Sequence, residues 1–284
     1  PKTGEILAMA SKPDFDLNAP FTLNDQSIEQ SLAGLPAEEY NTKKSEALLQ
    51  MWRNKAVTDS YEPGSTFKLA TSAMALEQGV VDMNTTFVCN GSYRVADRTI
   101  KCWDQAHGGH GGQTFPKAGC NSCNPAFIQI GERVGTEAFY EYVEAFGFRD
   151  TTGIELPGEA NGVFFGEKDF NTIQLATSSF GQGFQITPLQ MITYVSAIAN
   201  GGTLYQPHLV KQLTDSDGNV VKSYDPEPVR RIMSEQTANT LCGIMELVVN
   251  EGGGSNAYIK GYRVGGKTGT SEKLPRGNGK YVAS

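Results

Sequence analysis

The sequence is short of positive charge, long apolar runs, histidine and tryptophan. Lys and Arg number 24 against 31 Asp and Glu, the formal net charge is −7, and no basic run reaches five residues. That balance excludes a nucleic-acid-binding surface built on basic clusters. The chain contains neither an apolar run of membrane-spanning length nor a signal-peptide pattern, so as it stands it reads as soluble. Five cysteines in 284 residues are too sparse for a disulfide-stapled scaffold, and their number is odd. Internal repeats and low-complexity tracts are absent too. What remains is an ordinary globular composition, 39% hydrophobic and 19% charged, enough to bury one large core or two smaller ones.

One stretch carries more chemistry than its length suggests: Tyr61-Glu62-Pro63-Gly64-Ser65-Thr66-Phe67-Lys68. Pro63-Gly64 reads as a turn, and Thr66 to about Gln78 reads as a helix ending at Gly79. Ser65 then lies in the first helical turn, with Lys68 three residues on and on the same face. A serine hydroxyl becomes a nucleophile only when a neighbouring base takes its proton. A lysine serves as that base once burial or a nearby cation lowers its pKa. Helix-start N–H groups stabilise an anionic oxygen beside it. By itself S-x-x-K is common, and a capping serine with a surface lysine is the plainer reading.

The rest of the chain reads as α+β. A strand is expected over residues 4–10, a helix around 45–52, and a hairpin pairing Thr86-Phe87-Val88-Cys89 with Thr99-Ile100-Lys101-Cys102-Trp103. A glycine-rich loop follows at 105–112, then a helical region from Pro125 to Phe148 with apolar residues near 3.6-residue spacing. Residues 151–158 open a loop-rich stretch. Further helices are expected from Thr187 to about Asn200 and from about Glu235 to Val249. Asp215-Ser216-Asp217-Gly218 reads as a hairpin turn between Leu209–Leu213 and Val220–Lys222. The first and last strands are expected to share one sheet. Residues 1–284 read as one domain, cut at both ends within strand-like sequence.

Two more motifs follow the serine stretch. Ser122-Cys123-Asn124 stands just before a helix start, where a hydroxyl can relay a proton and an amide can bind a peptide group. Lys267-Thr268-Gly269-Thr270 follows two glycines; its small residues would let a ligand backbone lie along a strand edge, and its lysine and hydroxyls suit a carboxylate.

S-x-x-K, S-x-N and K-T-G in this order resemble the signature of penicillin-binding proteins and serine β-lactamases. Residues 1–11, 61–68, Phe180-Gly181-Gln182-Gly183 and 265–270 resemble the transpeptidase domain of class B penicillin-binding proteins. Ile100–Trp103 with Ser122–Pro125 looks most like the sporulation-type branch. The resemblance spans essentially the whole chain. It implies an antiparallel sheet with flanking helices and a mostly helical subdomain, and a D,D-transpeptidase that cross-links peptidoglycan stem peptides. On these positions it implies Ser65 as nucleophile, Lys68 as base, Ser122 as proton relay and Asn124 as a grip on the donor peptide. Lys267 would tune the site's electrostatics. Thr268, Gly269 and Thr270 would bind the terminal carboxylate, and the N–H groups of Ser65 and Thr270 would form an oxyanion hole. β-Lactams would acylate Ser65, with no cofactor required. The resemblance further implies an extracytoplasmic domain anchored by an N-terminal segment outside this sequence, with a membrane glycosyltransferase partner. It also implies further strands and a helix beyond the K-T-G strand.

Cysteines 89, 102, 120 and 123 fall within one short span. Three readings stand: small buried hydrophobes, a disulfide joining Cys102 to Cys89 or Cys123, or a structural zinc held by Cys89, Cys102, Cys123 and His110, with His107 or Asp104 as alternates. Cys242 reads as core, and Cys120-x-x-Cys123 is a weak signal. His208 reads as structural, Trp52 and Trp103 as packing residues, and Glu62 as a solvated loop charge. Two rival functions share the motifs. A serine β-lactamase needs a second base for water, with Glu155 and Glu159 as candidates by region. A β-lactam sensor needs only the acylation half.

Overall fold

The computed structural model describes residues 2–272 and 281–283. Pro1 and Ser284, at the outer edges of the motifs above, lie outside the described residues. Helices dominate and the strands pair in twos, an α+β architecture in which the described ladders are all antiparallel.

The core forms around the serine turn. Gly64–Phe67 is one turn of 3₁₀ helix running directly into the α-helix Lys68–Glu77. Ala70, Ala73 and Ala75 are fully buried, and their small side chains let neighbouring helices approach closely. Phe67 is the anchor: its ring lies 4.6 Å from that of Phe184 and 5.1 Å from that of Phe148. Burying such a ring contributes on the order of 1.5–3 kcal/mol, so the residue two after Ser65 pins the whole turn. On the same helix, Thr71 Oγ1 donates to the Ser179 carbonyl at 2.9 Å, tying it to the segment before Gly181.

The helix Asn124–Val134, with Pro125 in its first turn, packs on the serine helix and buries Phe127, Ile128 and Ile130. The expected single helix over 125–148 is two. Gly135 stands at φ +83° between Asn124–Val134 and Thr136–Ala145, because an L residue pays strain there and the helix cannot run through. The Pro188–Ala199 helix opens with a reciprocal cap between Thr187 and Gln190. Glu235–Glu251 is the longest helix described and ends beside the groove treated below. Within the loop-rich stretch, the Thr172–Ser178 helix had no sequence signal strong enough to find it.

Two strand expectations change. Thr86–Cys89 pairs with Gly111–Thr114 and not with the 99–103 segment, which instead turns back on Ser92–Val95. The tight turn at Ala96, φ +50°, closes that local hairpin. The second change concerns the sheet. Near the N-terminus the described pairing is one isolated parallel bridge of Glu5 with His208, not a ladder, and Thr270–Glu272 pairs with Tyr281–Ala283, so the first and last strands do not meet among the described residues. Backbone partners decide this: Ile6 N–H donates to the His208 carbonyl and His208 N–H to Gly4. The hairpin at Asp215–Gly218 forms as expected between Gln212–Thr214 and Val220–Ser223.

Candidate active site

Close backbone approach sets the site before any side chain does. Gly64 sits at φ +55°, and a Cβ there would fall 2.6 Å from the Thr270 carbonyl oxygen. Gly181, at φ +86°, would place a Cβ 1.9 Å from the Gly64 carbonyl, while its own carbonyl accepts the Gly64 N–H at 2.9 Å. Glycine is therefore required at both positions, and the serine turn is pressed between the 181 loop and the K-T-G segment. Glu62 locks that arrangement. It is buried, accepts the Gly183 N–H at 2.9 Å on one carboxylate oxygen and the Ser271 hydroxyl at 3.0 Å on the other. Its reading as a solvated loop charge is wrong, because its carboxylate joins two segments that are distant in sequence.

Ser65, Lys68, Ser122, Asn124 and Lys267 converge. Lys68 is 1% exposed. Its Nζ lies 3.0 Å from Ser65 Oγ, 3.1 Å from Ser122 Oγ, 2.7 Å from the Ser122 carbonyl and 2.7 Å from Asn124 Oδ1. Ser122 is held at φ +49°, a left-handed conformation unusual for serine, which turns both its carbonyl and its hydroxyl toward the amine. Lys267 Nζ reaches the same hydroxyl at 2.9 Å, so Ser122 Oγ bridges two lysines. Burial, then the Lys267 charge, pushes the Lys68 amine well below the ordinary lysine range. Burial brings Lys267 down to about 8. A neutral amine 3.0 Å from a serine hydroxyl can accept its proton.

Ser65, Asn124, Thr268 and Thr270 line one open groove of about 590 Å³, together with Gln182 and Trp103. Gly269 is buried between the two threonines. Trp103 departs from its expected packing role: it is 67% exposed, with its indole N–H donating to the Asn121 carbonyl at 2.9 Å. Trp52 is partly packed, edge-on to Phe21. Neither Glu155 nor Glu159 lines the groove. Glu155 accepts the Leu209 N–H, and Glu159 caps Thr152 and Gly153.

Behind the groove lies a second cluster. The ligand atoms of Cys89, Cys102, His110 and Cys123 all fall within 4.8 Å of one another. Cys102 Sγ contacts His110 Nδ1 at 3.3 Å, and His110 Nε2 is buried with no hydrogen-bond partner among the described residues. All five cysteines are free, so the disulfide reading is not realised. His107 turns away to pair with Asp104 at 2.6 Å. Burial raises the Cys123 thiol to about 12, while hydrogen bonds draw Cys89 below its ordinary value despite burial. Cys120 is buried, and Cys242 packs partly against the core. His208 bonds the N-terminal segment through its backbone.

Known proteins resemble this chain in sequence and in fold. A family profile described as the penicillin binding protein transpeptidase domain matches residues 1–284. Stage V sporulation protein D of Bacillus subtilis is 41% identical over 99% of this chain and 40% of its own length. Peptidoglycan D,D-transpeptidase FtsI of Escherichia coli is 32% identical over 99% of this chain and 42% of its own. Among solved structures, the D,D-transpeptidase domain of a peptidoglycan glycosyltransferase from Eggerthella lenta superposes with a TM-score of 0.81 at 30% identity, covering 96% of this chain and 65% of that one. Penicillin binding protein 3 of Mycobacterium tuberculosis, solved with aztreonam, gives 0.73 at 30%, covering 81% and 52%. The chain thus spans about two fifths of the length of these curated relatives.

Proposed function

The chain belongs to the class B penicillin-binding protein transpeptidases, and from that premise we propose that it is a peptidoglycan D,D-transpeptidase working through a serine acyl-enzyme. The observation that carries the reading is the buried Lys68 amine 3.0 Å from Ser65 Oγ, inside a groove whose far wall is Thr268–Thr270. Lys68 takes the Ser65 proton as Oγ bonds to the carbonyl between two D-alanines. The N–H groups of Ser65 and Thr270 hold the oxyanion, and their segments are in contact through Gly64. As the C–N bond breaks, the leaving D-alanine takes a proton through Ser122, which touches both lysines. An amine from a second stem peptide then attacks the ester, and the Ser65 oxygen leaves and recovers a proton. Lys267, Thr268, Gly269 and Thr270 receive the terminal carboxylate, and Asn124 holds the donor peptide. β-Lactams acylate Ser65 by the same steps with a strained amide in place of the peptide.

The full-length protein is read as an extracytoplasmic enzyme on a membrane anchor, working beside a membrane glycosyltransferase. Two observations weigh against a β-lactamase: Glu155 and Glu159 are engaged as loop caps away from the groove. Mass spectrometry after exposure to penicillin tests the reading. A covalent adduct on Ser65 that lasts many minutes and is absent in Ser65→Ala is expected; rapid turnover would make it a β-lactamase. Turnover of a D-Ala-D-Ala thioester with an amine acceptor separates the enzyme from a sensor.

Catalysis needs no metal, yet the Cys89, Cys102, His110 and Cys123 set fits zinc. Three thiols and an imidazole carry no competing carboxylate, and His110 Nε2 is an orphaned buried polar atom. Zinc there would be structural, holding Cys123 and with it the two residues that flank it.

A further inference from the structure

The groove is built for an anion at its K-T-G wall, and apart from one residue its described lining is neutral. That residue is Glu251, the last residue of the Glu235–Glu251 helix. A carboxylate at a helix C-terminus faces the negative end of the helix dipole, an unfavourable place for it. No ion pair offsets this among the described residues, and the side chain is exposed. The bland reading, a solvated surface glutamate, does not account for what stands next to it.

Trp103 lines the same groove, and the two are fixed to one short segment. The Asn121 carbonyl accepts the Trp103 indole N–H at 2.9 Å. One residue earlier, the Cys120 carbonyl lies 3.0 Å from where a Cβ of Gly252 would be, so the chain just after Glu251 packs tightly on that carbonyl. The ring is further held edge-on to His110, with centroids 5.1 Å apart. A large apolar ring kept 67% in solvent, yet fixed by a hydrogen bond, is placed to meet a ligand. An aromatic face and a lone carboxylate on one rim match an aliphatic chain ending in an ammonium: methylenes lie on the ring and the charge reaches the carboxylate.

We infer that Trp103 and Glu251 form a specificity subsite for the cationic, amine-bearing side chain of a stem peptide. The inference rests on the transpeptidase reading. Transpeptidation joins an amine of one stem peptide to the acyl group of another, so, the peptides being alike, the one that acylates Ser65 carries such an amine too; beside this groove the Lys267 charge would repel its ammonium if no counter-charge stood there. Glu251 supplies it.

The test compares Ser65 acylation by two D-Ala-D-Ala thioester peptides that differ at one atom group: a lysyl side chain with a free ε-ammonium, and its N-acetylated form. Wild-type protein is expected to prefer the ammonium peptide by roughly five- to ten-fold, as an exposed ion pair with an aromatic contact allows. The preference should shrink as ionic strength rises. Glu251→Gln should bring the ratio near one, and Glu251→Lys should invert it. Trp103→Ala should slow both peptides, with Trp103→Phe recovering most of the loss. A wild-type ratio near one, or a ratio that Glu251→Gln leaves unchanged, overturns the subsite while penicillin acylation of Ser65 still supports the transpeptidase. Failure of penicillin and both peptides to acylate overturns the transpeptidase reading and the subsite with it.

Discussion

Two buried polar clusters stand back to back on three consecutive residues, and they are satisfied in opposite ways. Ser122 and Asn124 turn toward the Lys68 amine, while Cys123 between them turns into the thiol cluster. On the amine side Lys68 Nζ meets four protein oxygens at 2.7–3.1 Å. On the thiol side His110 Nε2 has no partner among the described residues, and the ligand atoms of the three cysteines and the histidine crowd within 4.8 Å of one another. A buried network that is complete within the protein is ready to move a proton. One that is incomplete points to a ligand from outside. The same short segment therefore joins the lysine–serine cluster to the thiol cluster.

Breaking the amine side should have the largest effect. Ser65→Ala should abolish the penicillin adduct, and Lys68→Met should slow acylation by about 10²–10⁴-fold, measured by stopped-flow or timed mass spectrometry. An adduct that forms at the wild-type rate in Lys68→Met would remove the lysine from the base role.

The thiol side should respond in stability first. Zinc analysis of anaerobically purified protein is expected to give one equivalent. Its removal by chelation, or Cys102→Ser, should cost about 2–3 kcal/mol and lower Tm by roughly 5–10 °C, read by calorimetry. Protein without zinc and with all five thiols titratable would end the reading.

The pH profile separates the two lysines. Acylation by a carboxylate-bearing β-lactam should rise with pH as Lys68, held below the ordinary lysine range, loses its proton. It should fall again near pH 8 as Lys267 loses the charge that receives the carboxylate. Lys267→Arg should move that alkaline limb upward. The stability sign follows from the same shift. Between about 8 and 10.5 the unfolded chain holds a proton on Lys267 that the folded chain lacks, so stability rises with pH across that window. The smallest effect is expected from Glu62→Gln, which keeps the shape but weakens two hydrogen bonds. A loss of about 1–2 kcal/mol by urea unfolding, with the Ser65 adduct still formed, would identify it as a strut.

Local spelling was enough to find the serine turn, because Pro63-Gly64, Ser65 and Lys68 obey short-range rules that hold wherever the helix lies. It also placed the Asp215–Gly218 turn, and it picked out Cys89, Cys102, His110 and Cys123 together, though by way of a hairpin that pairs differently. Glu62 was misread because its partners, Gly183 and Ser271, are brought to it only by the fold. Trp103 was misread because exposure depends on what the chain leaves uncovered.

Residue identity by itself determined the reactive groups and their order, since a hydroxyl, an amine and a thiol carry their chemistry wherever they are. Only the tertiary structure decided that burial and a second lysine depress the Lys68 amine, and that one segment faces two clusters. Those are properties of dielectric and distance, and both are set by which distant segments the chain packs together.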